Sequence, residues 1–146
     1  MIRKVKRDDC KAITEIYNRY IVNSTVTFET ETVSEDEMCC RIFKIASQYP
    51  YLVCEIDNII IGYCYAHVWK ERAAYNKTLE TAVYLSPTYQ GQGIGKLLML
   101  SLIDECKKRN YHALIACITA ENERSRIFHS KLGFKQVSLF EKVGIK

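Results

Sequence analysis

An apolar, strand-like run from Leu79 to Pro87 passes into Gln90-Gly91-Gln92-Gly93-Ile94-Gly95-Lys96 and then into a long stretch of helically spaced leucines. This order of strand, glycine turn and helix commits the middle of the chain to a β-loop-α unit in a mixed α/β fold. The alternating glycines at 91, 93 and 95 let the backbone turn tightly with its N–H groups aimed inward, and a helix beginning near Ile94 adds the positive end of its dipole. The result is an anion cradle suited to a pyrophosphate. Two familiar nucleotide loops are excluded. A Rossmann fingerprint needs a third glycine where Lys96 stands, and the phosphate loop of nucleotide hydrolases needs Gly in place of Gln90 and Ser or Thr in place of Leu97.

Around this unit the pattern is regular. A first strand is expected over Ile2 to Lys6, and Asp8 or Asp9 is placed to cap a helix carrying Ile13, Ile16, Tyr17 and Tyr20 at helical spacing. Ser34 to Glu37 has the form of a capping box ahead of Met38, Ile42 and Ile45. Tyr51 to Ile56 and Ile59 to Trp69 read as two strands joined by a hairpin turn at Asp57-Asn58. The motif strand follows around Thr81 to Leu85, its helix runs to about Asn110, and Ala113 to Thr119 reads as a buried strand. Glu123 to Leu132 should be a last helix stopped by Gly133, with a final strand over Phe134 to Phe140.

At 146 residues the chain fits a single domain, residues 1–146, since chains of this size bury about 70% of their extended surface. A net charge of +4, with the run Arg3 to Arg7 alternating with apolar residues at a solvated strand edge, argues against a nucleic-acid partner. Seven cysteines without Cys-x-x-Cys spacing or a preceding leader point to reduced thiols in the cytoplasm and away from a metal site. Cys54, Cys64 and Cys117 read as small buried hydrophobes. No apolar run reaches the roughly 18 residues of a membrane span.

Gln-x-x-Gly-x-Gly after a buried strand resembles the acetyl-CoA site of the GNAT superfamily of N-acetyltransferases. The likeness extends over Tyr20 to Thr25 with Phe28 to Thr30, Tyr49-Pro50, Trp69 to Arg72, Ala74-Tyr75, Glu80 to Pro87, and Asn122 through His129 to Phe134. Phe28, Arg72 to Tyr75, Glu80 and His129 together resemble the phosphinothricin acetyltransferase branch. The resemblance implies a mostly antiparallel central sheet flanked by helices, acetyl-CoA as acetyl donor without a metal, and direct transfer to the amine of a small amino acid-like compound such as phosphinothricin or methionine sulfoximine.

By the same resemblance, the backbone near Val83 and Leu85 would meet the pantetheine arm, and Gln90, Gly91, Gln92, Gly93, Ile94, Gly95 and Lys96 the pyrophosphate. Asn122 and Ser125 would join the cofactor side from one helical face with His129. Glu80 is the general-base candidate, and His129 stands where many members carry the tyrosine that protonates the departing thiolate; histidine can also serve as the base in this branch. Phe28, Arg72 and Tyr75 would line the substrate, Arg72 pairing its guanidinium fork with an acceptor anion. A peptide or antibiotic amine acetyltransferase, or a non-catalytic acyl-CoA-binding module, stand as alternatives. The expected C-terminal end is short of the further strand usual in such domains, which leaves a sheet edge for a partner chain and, with the resemblance, implies a homodimer.

Overall fold

Asp57 and Asn58 both adopt positive φ, 51° and 63°, the backbone a two-residue hairpin turn demands, and they join β2 (Tyr51–Ile56) to β3 (Ile59–Val68). The computed structural model describes residues 1–144 and 146. Around the hairpin lie β1 (Ile2–Lys4), β4 (Thr78–Leu85) and β5 (Ala113–Ala116), giving a five-stranded sheet in the order β1-β2-β3-β4-β5. Every pairing is antiparallel except β4 with β5. That parallel pair requires a crossover, which α3 (Ile94–Lys108) supplies.

Strand alternation assigns the two faces. Tyr51, Val53 and Tyr63 pack beneath α1 (Cys10–Asn23) and α2 (Glu35–Ala46), against Ile13, Ile16, Met38 and Ile42. On the other face Leu52, Cys64 and Leu79 meet Leu98, Met99 and Leu102 of α3. Phe128 of α4 (Glu123–Lys131), with Leu132 and Phe134 just beyond that helix, covers the same side. Ser34 caps α2 by accepting the Glu37 N–H at 3.1 Å, as its position predicts, and Gly133 takes φ 98° just past α4.

Four expectations are corrected. Asp9 precedes α1 but makes no side-chain cap to it; its carboxylate accepts both Nη groups of Arg3 at 2.9 Å and the Lys6 N–H at 2.8 Å. Arg3, expected in solvent at the strand edge, is held there and by Glu55 at 3.2 Å. Cys117 lies beyond the end of β5 and is exposed, not a buried hydrophobe. Residues 134–140 form no strand: Val137 is 90% and Phe140 74% exposed. Alternating apolar residues specify a strand only where a neighbour offers a ladder, and among the described residues nothing pairs with them.

Candidate active site

At the end of β4 a 3-10 turn, Pro87–Tyr89, leads into the glycine loop, where Gly91 and Gly93 take φ 79° and 82°. Only glycine adopts these angles without strain. Gly95 has a different role: it lies inside α3, where an added Cβ would stand 3.4 Å from Leu85 and 3.5 Å from Phe128. The first α3 hydrogen bond runs from the Leu97 N–H to the Gly93 carbonyl at 3.2 Å, so helix geometry provides no acceptor for the N–H groups of Ile94, Gly95 and Lys96. Gly93, as N-cap, offers no side-chain cap either. Free donors and the helix dipole coincide at one point, as an anion site needs.

The loop is braced by side chains. Gln90 Nε2 donates to the Tyr20 hydroxyl at 3.0 Å, and that hydroxyl donates to the Leu85 carbonyl. Arg124 Nη1 donates to Gln90 Oε1 at 2.9 Å, which ties α4 to the loop and puts a guanidinium beside Gly91. Gln92 folds back on the Thr88 carbonyl at 3.3 Å. Beside this loop β4 and β5 part: pairing stops at Thr81 with Ala116, while β4 continues through Val83 to Leu85. Thr81, the last paired residue, and Thr119, just past β5, each bury a hydroxyl oxygen without a protein partner among the described residues. Free N–H groups, a parted strand pair and orphaned hydroxyls fit a long polar ligand ending in phosphates.

Along α4 the expected face is present as a chain of hydrogen bonds. Asn122 Oδ1 caps the Ser125 N–H at 3.2 Å, and His129 Nδ1 lies 2.8 Å from the Ser125 carbonyl and 3.2 Å from its Oγ. Nδ1 carries the proton to that carbonyl, which leaves Nε2 with the lone pair. The ring is buried edge-on between Phe128 and Phe134. Burial pushes its pKa below the ordinary histidine value, opposed by the Ser125 bond, so the neutral form is favoured.

Glu80 lies on the opposite face of the sheet. It stands directly across from His67 in the β3–β4 register, alternating with Leu79 and Thr81 of the α3 side. His67 Nε2 is 3.9 Å from Glu80 Oε2. On this face a cavity of about 530 Å³ opens between α2 and β3, walled by Tyr17, Tyr51, Tyr63, Tyr65, Arg41 and His67. Burial, with Glu29 nearby, pushes the Tyr17 phenol up to about 12, and burial raises Tyr63 and Tyr65 as well, so these hydroxyls remain protonated. Arg41 pairs with Glu29 at 2.8 Å, whose Oε2 is buried without a partner among the described residues.

The structure therefore brings the cradle residues Gln90 to Lys96 together with Val83, Leu85, Asn122, Ser125 and His129 around one side, and sets Glu80 on the other. Phe28, Arg72 and Tyr75 do not line the cavity; Phe28 is 48% and Tyr75 45% exposed, and Arg72 heads the 3-10 turn Ala73–Tyr75. Sequence reasoning missed Arg124, Tyr20, Glu29, Arg41 and His67. Tyr20, Glu29 and Arg124 lie in segments that carry the family likeness, and counting back from a correct β3–β4 register sets His67 against Glu80.

The Acetyltransferase (GNAT) domain family matches residues 2–146. The chain is 38% identical to the phosphinothricin N-acetyltransferase of Alcaligenes faecalis, over 99% of its own length and 75% of that protein's. It is 34% identical to the L-methionine sulfoximine/L-methionine sulfone acetyltransferase of Salmonella typhimurium, over 99% of this chain and 85% of the relative. Among solved structures, a GNAT superfamily phosphinothricin acetyltransferase from Sinorhizobium meliloti in complex with acetyl-CoA superposes with a TM-score of 0.96 at 35% identity, covering 100% of this chain and 80% of that one.

Proposed function

Because the chain belongs to the GNAT family of acetyltransferases, we propose that it transfers the acetyl group of acetyl-CoA directly to the amine of a small amino acid-like compound, such as phosphinothricin or methionine sulfoximine, with residues 1–146 working as one domain. The observation that carries this reading is the parting of β4 from β5 beside the free N–H groups at the start of α3. Bound acetyl-CoA supplies an activated carbonyl and a thiol leaving group. The N–H groups of Ile94, Gly95 and Lys96, with the loop glycines and the Arg124 guanidinium, would hold its phosphates. The unpaired edge of β4 at Val83 and Leu85 would take its amide-bearing arm, and the orphaned Thr81 and Thr119 hydroxyls have bonds to give it.

In this reading the acceptor approaches from the α1/α2 face and its amine surrenders a proton on the Glu80 side of the sheet. A carboxylate is a far weaker base than an amine, so an intermediate acceptor or a water must assist. His129 serves the sulfur from the other face: burial disfavours its charged form, so a proton it takes up is readily passed on. Arg72 offers its fork to an acceptor anion, with Phe28 and Tyr75 as further acceptor-binding residues. A second copy would cover the sheet edge at β5 in a homodimer, with exposed Val137, Leu139 and Phe140 as further apolar surface to bury, and seven free thiols suit the cytoplasm.

The test is thiol release from acetyl-CoA across a panel of amines. Phosphinothricin, methionine sulfoximine or a related amino acid should outpace polyamines and aminoglycosides, whose positive charge Arg72 repels. Preference for a peptide N-terminus or an antibiotic amine would move the acceptor class, and acetyl-CoA binding without thiol release on any amine would make the chain a binding module. Light scattering at twice the chain mass would support the dimer; a monomer would overturn it.

A further inference from the structure

His67 is the imidazole on the wall of the α2–β3 cavity, and Glu80, 3.9 Å behind it, is not among the residues lining that cavity. A molecule entering there meets the ring before the carboxylate. This matters because an imidazole is a stronger base than a carboxylate and so a better match to an ammonium group at neutral pH. A carboxylate beside an imidazole orients the ring and balances the charge it gains on protonation. Both side chains are about one-third exposed, so a proton taken up there has a path to solvent.

The neighbouring groups leave this role open to His67. Tyr65, tilted against its ring at 5.6 Å, and Tyr17 across the cavity are kept protonated by burial and accept no proton near neutrality. Of the α2 cations on the cavity wall, Arg41 is neutralised by Glu29 at 2.8 Å and Glu37 at 3.2 Å, which leaves Lys44 as the cation opposing a charged imidazole. Glu71, following β3 on the same wall, favours it, with Lys70 as its chain neighbour. Beyond β5, the Cys117 thiol, partly covered although the residue is exposed, is held up by that partial desolvation and by Glu80, so it too stays protonated.

We propose that His67 is the proton acceptor for the substrate amine, with Glu80 behind it as a positioning and charge-balancing group. The proposal rests on the acetyltransferase reading and refines its base. With Nε2 on the Glu80 side and carrying the ring's proton, the Nδ1 lone pair takes one proton from the ammonium group and leaves a neutral amine to form the new C–N bond. As the C–S bond breaks, the sulfur takes up the second amine proton, and the imidazolium returns its own to solvent. One proton is released for each acetyl transferred.

The experiment measures kcat and kcat/KM against pH for the best amino acid acceptor of the panel, at saturating acetyl-CoA, in the wild type, His67→Gln, Glu80→Gln and the double variant. His67→Gln should lower kcat by about 10²- to 10⁴-fold and abolish the acid limb of the pH profile, with acetyl-CoA affinity unchanged. Glu80→Gln should lose less and keep the limb. The double variant should be no slower than His67→Gln, because the two act as a unit. His67→Gln within threefold of wild type, or with the limb intact, overturns the role of His67 while wild-type turnover keeps the acetyltransferase reading; a wild type without turnover on any amine overturns both. His67→Asn gives the same answer should the glutamine variant fail to fold.

Discussion

The two faces of the sheet are built from different materials. On the α3 side the anion cradle is backbone: two positive-φ glycines and three helix-end N–H groups, with side chains such as Gln90 and Arg124 acting as braces. On the α1/α2 side the cavity is side chain: stacked tyrosines, an Arg41–Glu29 pair, and His67 set against Glu80 by strand register. A backbone site tolerates change in every residue whose dihedrals survive, and a side-chain site changes its chemistry with a single substitution. The cradle accordingly suits a fixed donor and the cavity a variable acceptor.

The sharpest way to separate the faces is to delete the carboxylate on one and the glycine on the other. Glu80→Gln keeps shape and removes charge, so kcat should fall about 10²-fold while acetyl-CoA affinity, measured by calorimetry, stays within twofold. Gly93→Val should do the reverse. An added Cβ at Gly93 meets no atom within 4 Å, so the whole effect comes from forcing a β-branched residue to φ 82°, a cost of order 1–3 kcal/mol. Acetyl-CoA binding should weaken at least tenfold, with a native-like far-UV spectrum. Undiminished affinity would show that the cradle does not depend on its backbone angles.

This difference in material also explains what was legible in the sequence. Gly93, Gly133 and the Asp57-Asn58 turn each announce a backbone conformation that few other residues adopt, Ser34 announces a local side-chain cap, and each stands where its type predicts. The cavity gave no such signal, because its members come from α1, α2, β2 and β3 and meet only through register and packing. Asp9 misled for a related reason: a cap is a local bond, and a half-buried guanidinium from another element outcompeted it. The run at 134–140 misled because alternation marks strand potential, and a strand needs a partner.

A smaller effect tests where the acceptor's anion is held. Arg72 is exposed and outside the cavity, whereas Arg41 lines it but is already engaged by Glu29 and Glu37. An unengaged guanidinium is the better anion site, so Arg72→Ala should raise the amino acid KM about five- to tenfold, within the worth of one charge-assisted hydrogen bond in partial solvent, and leave the acetyl-CoA KM unchanged. Arg41→Ala should cost stability first, since it strands the half-buried Glu29 carboxylate. A larger rise in amino acid KM for Arg41→Ala than for Arg72→Ala would place the anion inside the cavity.

The smallest expected effect is a pH dependence of stability carried by the cradle side. Burial lowers the His129 pKa in the folded chain, opposed by its bond to the Ser125 carbonyl. The unfolded chain therefore takes up this proton first as the pH drops: the stabilisation is complete above the ordinary histidine value of about 6.5 and is lost as pH falls toward the lower folded-state pKa. The slope is bounded at about 1.4 kcal/mol per pH unit for one proton. Urea midpoints between pH 7.5 and 5.5 should show this decline in the wild type and a flatter line in His129→Phe, whose ring fits between Phe128 and Phe134 and has nothing to protonate. Carboxylates titrate mainly below this window, and the other two histidines, His67 and His112, are present in both proteins and cancel in the difference. Parallel lines would mean that the imidazole reaches solvent in the folded chain, and that the α4 side of the cradle is more open than the edge-on packing of its ring implies.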